Sequence, residues 1–158
     1  MRAILLAALI LALGACSSDL ATNPVGAQPD TPDQGVAGLV TFHEGDFMPV
    51  TDPNLMTGSI TPVARVIYIY EPTTMDQVAY DGDGAFYSAI YTKLVATVES
   101  NANGEFAAEL GAGTYSLFVL EDGRYYANGW SDNYIQPVTV APHAVTDFDI
   151  AITYKAYY

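Results

Sequence analysis

The chain has 158 residues, about half of them hydrophobic, and a formal net charge of −13 at neutral pH. That length suits one domain, and the negative field repels nucleic acid and anionic lipid headgroups. Cys16 is the only cysteine, which excludes an intramolecular disulfide and leaves the fold to rest on its core.

Met1-Arg2 gives a positive start, and Ala3 to Leu13 is an unbroken apolar run. This is the pattern of a secretory signal, residues 1–15, with a basic end and a short apolar region. The run is too short to cross ~30 Å of hydrocarbon as a helix. It ends in Leu13-Gly14-Ala15-Cys16, which resembles the lipobox of bacterial lipoproteins. The resemblance implies that Cys16 becomes the first mature residue and carries a diacylglyceryl group and further acyl chain, palmitate among the fatty acids. Two or more chains make membrane anchoring stable, where one is marginal. Ser17 rather than Asp follows the cysteine, which by the same resemblance favours the outer membrane of the cell envelope. Cleavage would leave Arg65, Lys93, Arg124 and Lys155 against 18 acidic residues, a net charge of −14.

Residues 16–35 follow as a linker. Three prolines among small and polar residues offer too little apolar surface to offset the entropy of ordering, so a flexible tether is expected. The folded domain is expected over 36–158. Strands are read at Val36–Glu44, Val63–Tyr70, Ala85–Ser100 (long, with a bulge or kink), Glu105–Leu110, Thr114–Glu121, Ile135–Val140 and Val145–Tyr154. The last alternates most clearly, with Phe148, Ile150, Ile152 and Tyr154 on one face. No stretch carries a capped helical stripe. Turns fall at Asn103-Gly104, where both residues tolerate positive φ, at Gly111-Ala112-Gly113, at Asp122-Gly123 and at Ala141-Pro142-His143. Seven short strands without helical crossovers predict an all-β, antiparallel, seven-stranded sandwich, or a barrel.

The run N-A-N-G-E-F-A-A-E-L-G-A-G-T-Y-S-L-F-V-L-E-D-G, residues 101–123, resembles the centre of carboxypeptidase regulatory-like domains, sandwiches of the transthyretin-like (prealbumin-like) class. That pattern is an Asp/Asn-x-x-Gly-x-Phe hairpin, then Leu-Pro-x-Gly-x-Tyr and an alternating strand; Gly111 stands here where the family often has proline. Whatever the family, Phe106 and Tyr115 can fill the core between the sheets; the resemblance implies a non-catalytic, accessory role. The segments Gly45–Thr61, Glu71–Gly84 and Tyr125–Tyr134 are expected as long loops on which any special role would sit.

Three constellations bear on chemistry. His43-Glu44-x-Asp46 offers metal-ligand types at a strand end, but the second histidine, His143, lies in a distant turn and a site needs three or four converging ligands. Asp81 and Asp83, in Asp81-Gly82-Asp83-Gly84, could share one Ca2+, with Asp76 nearby, although the spacing and final Glu of an EF-hand are absent. Tyr125, Tyr126, Trp130 and Tyr134 lie among Asn and Asp residues, a mixture that suits stacking on sugars or docking a partner, or covering one end of a sandwich. No G-x-S-x-G or H-E-x-x-H motif occurs, and no catalytic residues are assigned. The expectation is a lipid-anchored, non-enzymatic envelope module that serves another envelope protein as adaptor or accessory subunit and needs no cofactor. The alternative is a small-ligand domain for glycan or Ca2+.

Overall fold

The computed structural model of the chain describes residues 29–49 and 57–158. The expected signal peptide, Cys16 and most of the linker lie outside the described residues, as does 50–56 of the first long loop. The described part is all β. Its strands are β1 (Gly35–Asp46), β2 (Ser59–Pro62), β3 (Val66–Tyr70), β4 (Val78–Tyr80), β5 (Phe86–Ile90), β6 (Leu94–Glu99) and β7 (Glu105–Glu109). Then come β8 (Gly113–Glu121), β9 (Arg124–Tyr126), β10 (Trp130–Ser131), β11 (Tyr134–Ile135), β12 (Pro137–Val140), β13 (Val145–Asp147) and β14 (Ile150–Tyr157).

The first sheet is built around β1. At twelve residues this strand is about 40 Å long, enough to hold two short strands in succession on each flank. One flank carries β7 and then β2, both antiparallel; the other carries β13 and then β14, both parallel. The second sheet runs β4-β5-β9-β8-β3-β6, and β12 pairs with the first half of β8 on the flank that β9 holds further along.

The two sheets enclose one core. Val36 and Val40 of β1, Phe106 of β7, and Ile150 and Ile152 of β14 meet Ile67 and Ile69 of β3, Leu117 and Val119 of β8, and Val138 and Val140 of β12. Tyr115, Phe148 and Tyr154 pack against it. Strand alternation then sends the neighbouring residues to the other face of the second sheet. There Tyr70, Tyr87 and Phe118 form a second buried cluster with Val78, Ala127 and Ile135. Edge-to-face ring pairs join it, Tyr70 to Phe118 at 5.8 Å and Tyr87 to Phe118 at 5.8 Å.

Several expectations are corrected. The sandwich-like body is not purely antiparallel, because β1 pairs in parallel with the last two strands. The run 85–100 is two strands, β5 and β6, at separate places in one sheet. Residues 91–93 turn away between them, held by Tyr91 N to Gln77 O (2.9 Å), Thr92 to Thr73 (2.6 Å) and Glu71 N to Lys93 O (3.0 Å). Val63–Tyr70 starts as a strand only at Val66. The long loops contain β2, a 3-10 turn at Met75–Gln77 with β4, and the β9 and β10–β11 segments. Ile135–Val140 and Val145–Tyr154 are each broken, at Gln136 and at Phe148-Asp149.

The turn chemistry explains the hairpins. Asp122 (φ 50°) and Gly123 (φ 76°) make the two-residue β8–β9 turn with positive φ at both positions. Asp132 (φ 49°) and Asn133 (φ 70°) do the same between β10 and β11. At Asn101–Gly104 only Gly104 (φ 78°) is left-handed, its N–H closing the turn on Asn101 O at 2.9 Å, and this turn is not the hairpin expected at Asn103-Gly104, because it carries the chain from β6 in the second sheet to β7 in the first.

Candidate functional site

Asp81 and Asp83 do converge, and the group between them is a side chain. Arg124, which opens β9, places one guanidinium nitrogen 2.9 Å from Asp81 and 3.2 Å from Asp83. The bond to Asp81 and then that to Asp83 hold the guanidinium above its usual range. The same guanidinium lies over the Phe86 ring, 3.9 Å from its centroid. Asp76 sits apart, bonded to the Thr74 hydroxyl in the 3-10 turn. A Ca2+ ion at Asp81 and Asp83 would have to displace Arg124.

His43, on β1, has both ring nitrogens engaged by hydroxyls: Thr41 at 3.0 Å and Tyr158 at 3.0 Å. Asp46 accepts from Met48 N at 2.8 Å. His143 lies in the turn between β12 and β13 with φ 56°, its backbone N–H donating to Gln34 Oε1 at 2.7 Å. Among the described residues no three His, Cys, Asp or Glu side chains group closely enough to hold a metal.

The four aromatic candidates part company. Tyr126 is buried in the main core and its hydroxyl accepts from Thr153 N at 3.0 Å. Tyr125 points the other way, into the second cluster, where the Tyr70 hydroxyl donates to it at 3.2 Å. That bond, after burial, pushes the Tyr70 phenol well up. Tyr134 pairs with Thr74 in an isolated bridge and ties β11 to the segment before the 3-10 turn. Trp130 alone is half exposed. It walls an open groove of about 330 Å³ together with Asn128, Gln136, Pro137, Phe148 and Asp149.

No family model, curated protein or solved structure matches the chain.

Two features were not legible in the residue order. The first is a buried charge cluster: Glu121, 4 % exposed at the end of β8, is paired with Arg65 and accepts from the Tyr154 hydroxyl at 3.0 Å. Burial, and then the bond to Glu121, push the Tyr154 phenol up to about 12. The second is the far wall of the groove beside Trp130, where Phe148 and Asp149 come from the break between β13 and β14; Trp130 itself stands among the candidates read from the sequence. Both bring together residues far apart in the chain, and no spacing rule reports such pairs.

Proposed function

We propose that the chain is a lipid-anchored module of the bacterial cell envelope, non-enzymatic, that serves as adaptor or accessory subunit for another envelope protein. The observation that carries this reading is the junction Leu13-Gly14-Ala15-Cys16, with the only cysteine of the chain, followed by a linker and a single sandwich-like body. The body's charged groups support it. Arg65 and Glu121 join loop to strand, and Arg124 joins β9 to the Asp81–Asp83 turn, so these groups are spent on holding the fold.

We assign the body to the transthyretin-like class as a carboxypeptidase regulatory-like domain. Two features favour the assignment. Phe106 follows the Gly104 turn into the core, and Tyr115 donates from its hydroxyl to Gly111 O at 3.0 Å, bracing the turn before β8.

The test is in-cell cross-linking of tagged protein and mass spectrometry of what is recovered, with Cys16→Ser run beside wild type. One dominant envelope partner, lost with the anchor, is the expected result. Equal recovery of the same partner from the soluble Cys16→Ser protein removes the anchored part of the reading; no partner above background removes the adaptor part. Turnover of an envelope substrate that a point change abolishes overturns the non-enzymatic part.

A further inference from the structure

We propose that the groove walled by Trp130 is a binding site for a neutral saccharide. The inference does not depend on the lipid anchor or on an adaptor role. The wall is firmly held. Gly129 and Gln136 close the base of the β10–β11 hairpin, with Gln136 N to Gly129 O at 2.7 Å and Gly129 N to Gln136 Oε1 at 2.7 Å. Gln136 is buried with φ 45°. A buried residue of that type keeps a left-handed conformation only where the surroundings over-determine it. Asn128 anchors the other end, its Nδ2 donating to Ala151 O at 3.2 Å and to Thr153 Oγ1 at 2.9 Å.

What this frame presents is a flat ring and unused hydrogen-bonding groups. Trp130 is 50 % exposed, stacks on no other ring among the described residues, and its indole N–H has no partner among them. A buried tryptophan finds a partner for that N–H, and an exposed one offers both face and donor to a ligand. Asp149, across the groove, uses Oδ1 to accept from Leu39 N at 2.8 Å, which leaves its other oxygen to accept. Ala151 offers a backbone donor. Its carbonyl bonds away from β1 to Asn128, and in a strand the N–H of a residue points to the same side as its carbonyl. Pro137 and Phe148 supply apolar floor.

The ligand class follows from charge and size. No Lys or Arg lines the groove, Asp149 does, and the chain carries −13, so anions are disfavoured. A quaternary ammonium is held by a cage of several rings; here one ring is free. The volume lies at the low end of small-molecule sites, ~300–1,000 Å³. A pyranose has an apolar face for the indole and hydroxyls for the carboxylate and the backbone donor.

The chain has one tryptophan, so indole fluorescence reads this site alone. The test titrates the protein with neutral trisaccharides of glucose and of N-acetylglucosamine, and measures co-sedimentation with the matching insoluble polymers to separate a free sugar from a polymer as the source. Choline and a short apolar peptide complete the panel. The expected result is a saturable emission change with at least one neutral saccharide. By calorimetry, Trp130→Ala weakens that binding about tenfold or more, Trp130→Phe by less, and Asp149→Asn weakens it while retaining the bond from Leu39. All variants keep the wild-type tyrosine circular dichroism. No saturable response to any saccharide, a response to choline or peptide only, or saccharide binding that survives in a folded Trp130→Ala or Trp130→Phe at full strength overturns the proposal.

Discussion

Glu121 ties the second sheet to β14 through the Tyr154 hydroxyl. A carboxylate only 4 % exposed is costly to bury, and Arg65 with the Tyr154 hydroxyl offsets that cost. Removing one partner leaves the charge uncompensated. Arg65→Met is expected to cost about 2 kcal/mol, discounted because Arg65 is itself one-third exposed. The double variant Arg65→Met/Glu121→Leu should recover most of it. Urea midpoints for the two single variants, the double and wild type check this, and a cost below about 0.5 kcal/mol for Arg65→Met would show that water screens the pair. Neither residue stands out in the sequence: Arg65 interrupts an apolar run and Glu121 ends one. Their importance lies in the distance folding closes between them.

At the scale of the element, turns and edges decide. Gly104 and Gly123 both have positive φ, but their surroundings differ. A Cβ on Gly104 would stand 2.4 Å from Val40 O, while one on Gly123 would meet nothing within 4 Å. Gly123→Ala should therefore cost about 1 kcal/mol from backbone strain alone, and Gly123→Asn less. Gly104→Ala should cost about 2–3 kcal/mol, since the clash falls on Val40 O and the Val40 N–H, bonded to Gly104 O at 2.8 Å, keeps the two backbones from moving apart. Melting temperatures of the three variants rank them, and equal losses for the two alanines would refute the clash. The outer edge of β14 is blunted by side chains, Asn128 on Ala151 O and the Tyr126 hydroxyl on Thr153 N. Asn128→Ala should lose about 1 kcal/mol and increase self-association on size exclusion, because it reopens that edge. An unchanged elution volume at all concentrations would argue against the capping role.

For the whole molecule, the second sheet carries two cores, one on each face, and buried tyrosines belong to both. Burial, followed by the neighbouring Tyr80, pushes the Tyr87 phenol up to about 12; Tyr154 reaches about 12 and Tyr70 is raised further. All three start from an ordinary value of 10.0. A raised phenol keeps its proton in the folded state after the unfolded chain has lost it. Its contribution is thus fully present below pH about 10 and is lost as the pH rises through about 12. Urea midpoints should be level in mildly alkaline buffer and fall steeply across that window, less steeply in Tyr154→Phe. A level profile to the top of the window would mean that these hydroxyls are solvated in the folded state. Phe118 ties the two scales together: fully buried between Tyr70 and Tyr87, its replacement by Ala should cost about 3–5 kcal/mol.

The residue order by itself determined that the body is all β, because alternation is a local property. Phe148, Ile150, Ile152 and Tyr154 read as one face and pack on one core, and Leu117 and Val119 do likewise. It also placed the turn at Asp122-Gly123, where both residues take the positive φ expected of them; at Asn103-Gly104 it found a turn, but only Gly104 is left-handed and the strands on either side belong to different sheets. What it left open was decided by pairing between distant strands. The kink at 91–93 reads the same in sequence whether the chain bends or crosses to another place in the sheet. The direction in which β14 meets β1 is set by the connection and by the packing of the two sheets. The four aromatics at 125–134 went separate ways for the same reason: Tyr125 and Tyr126 are neighbours in a strand and must face opposite sides, so one entered each core, and Trp130 stayed at the surface. Asp81 and Asp83 drew together as local spacing allows, but that Arg124 fills the gap between them depended on β9 folding back beside β5.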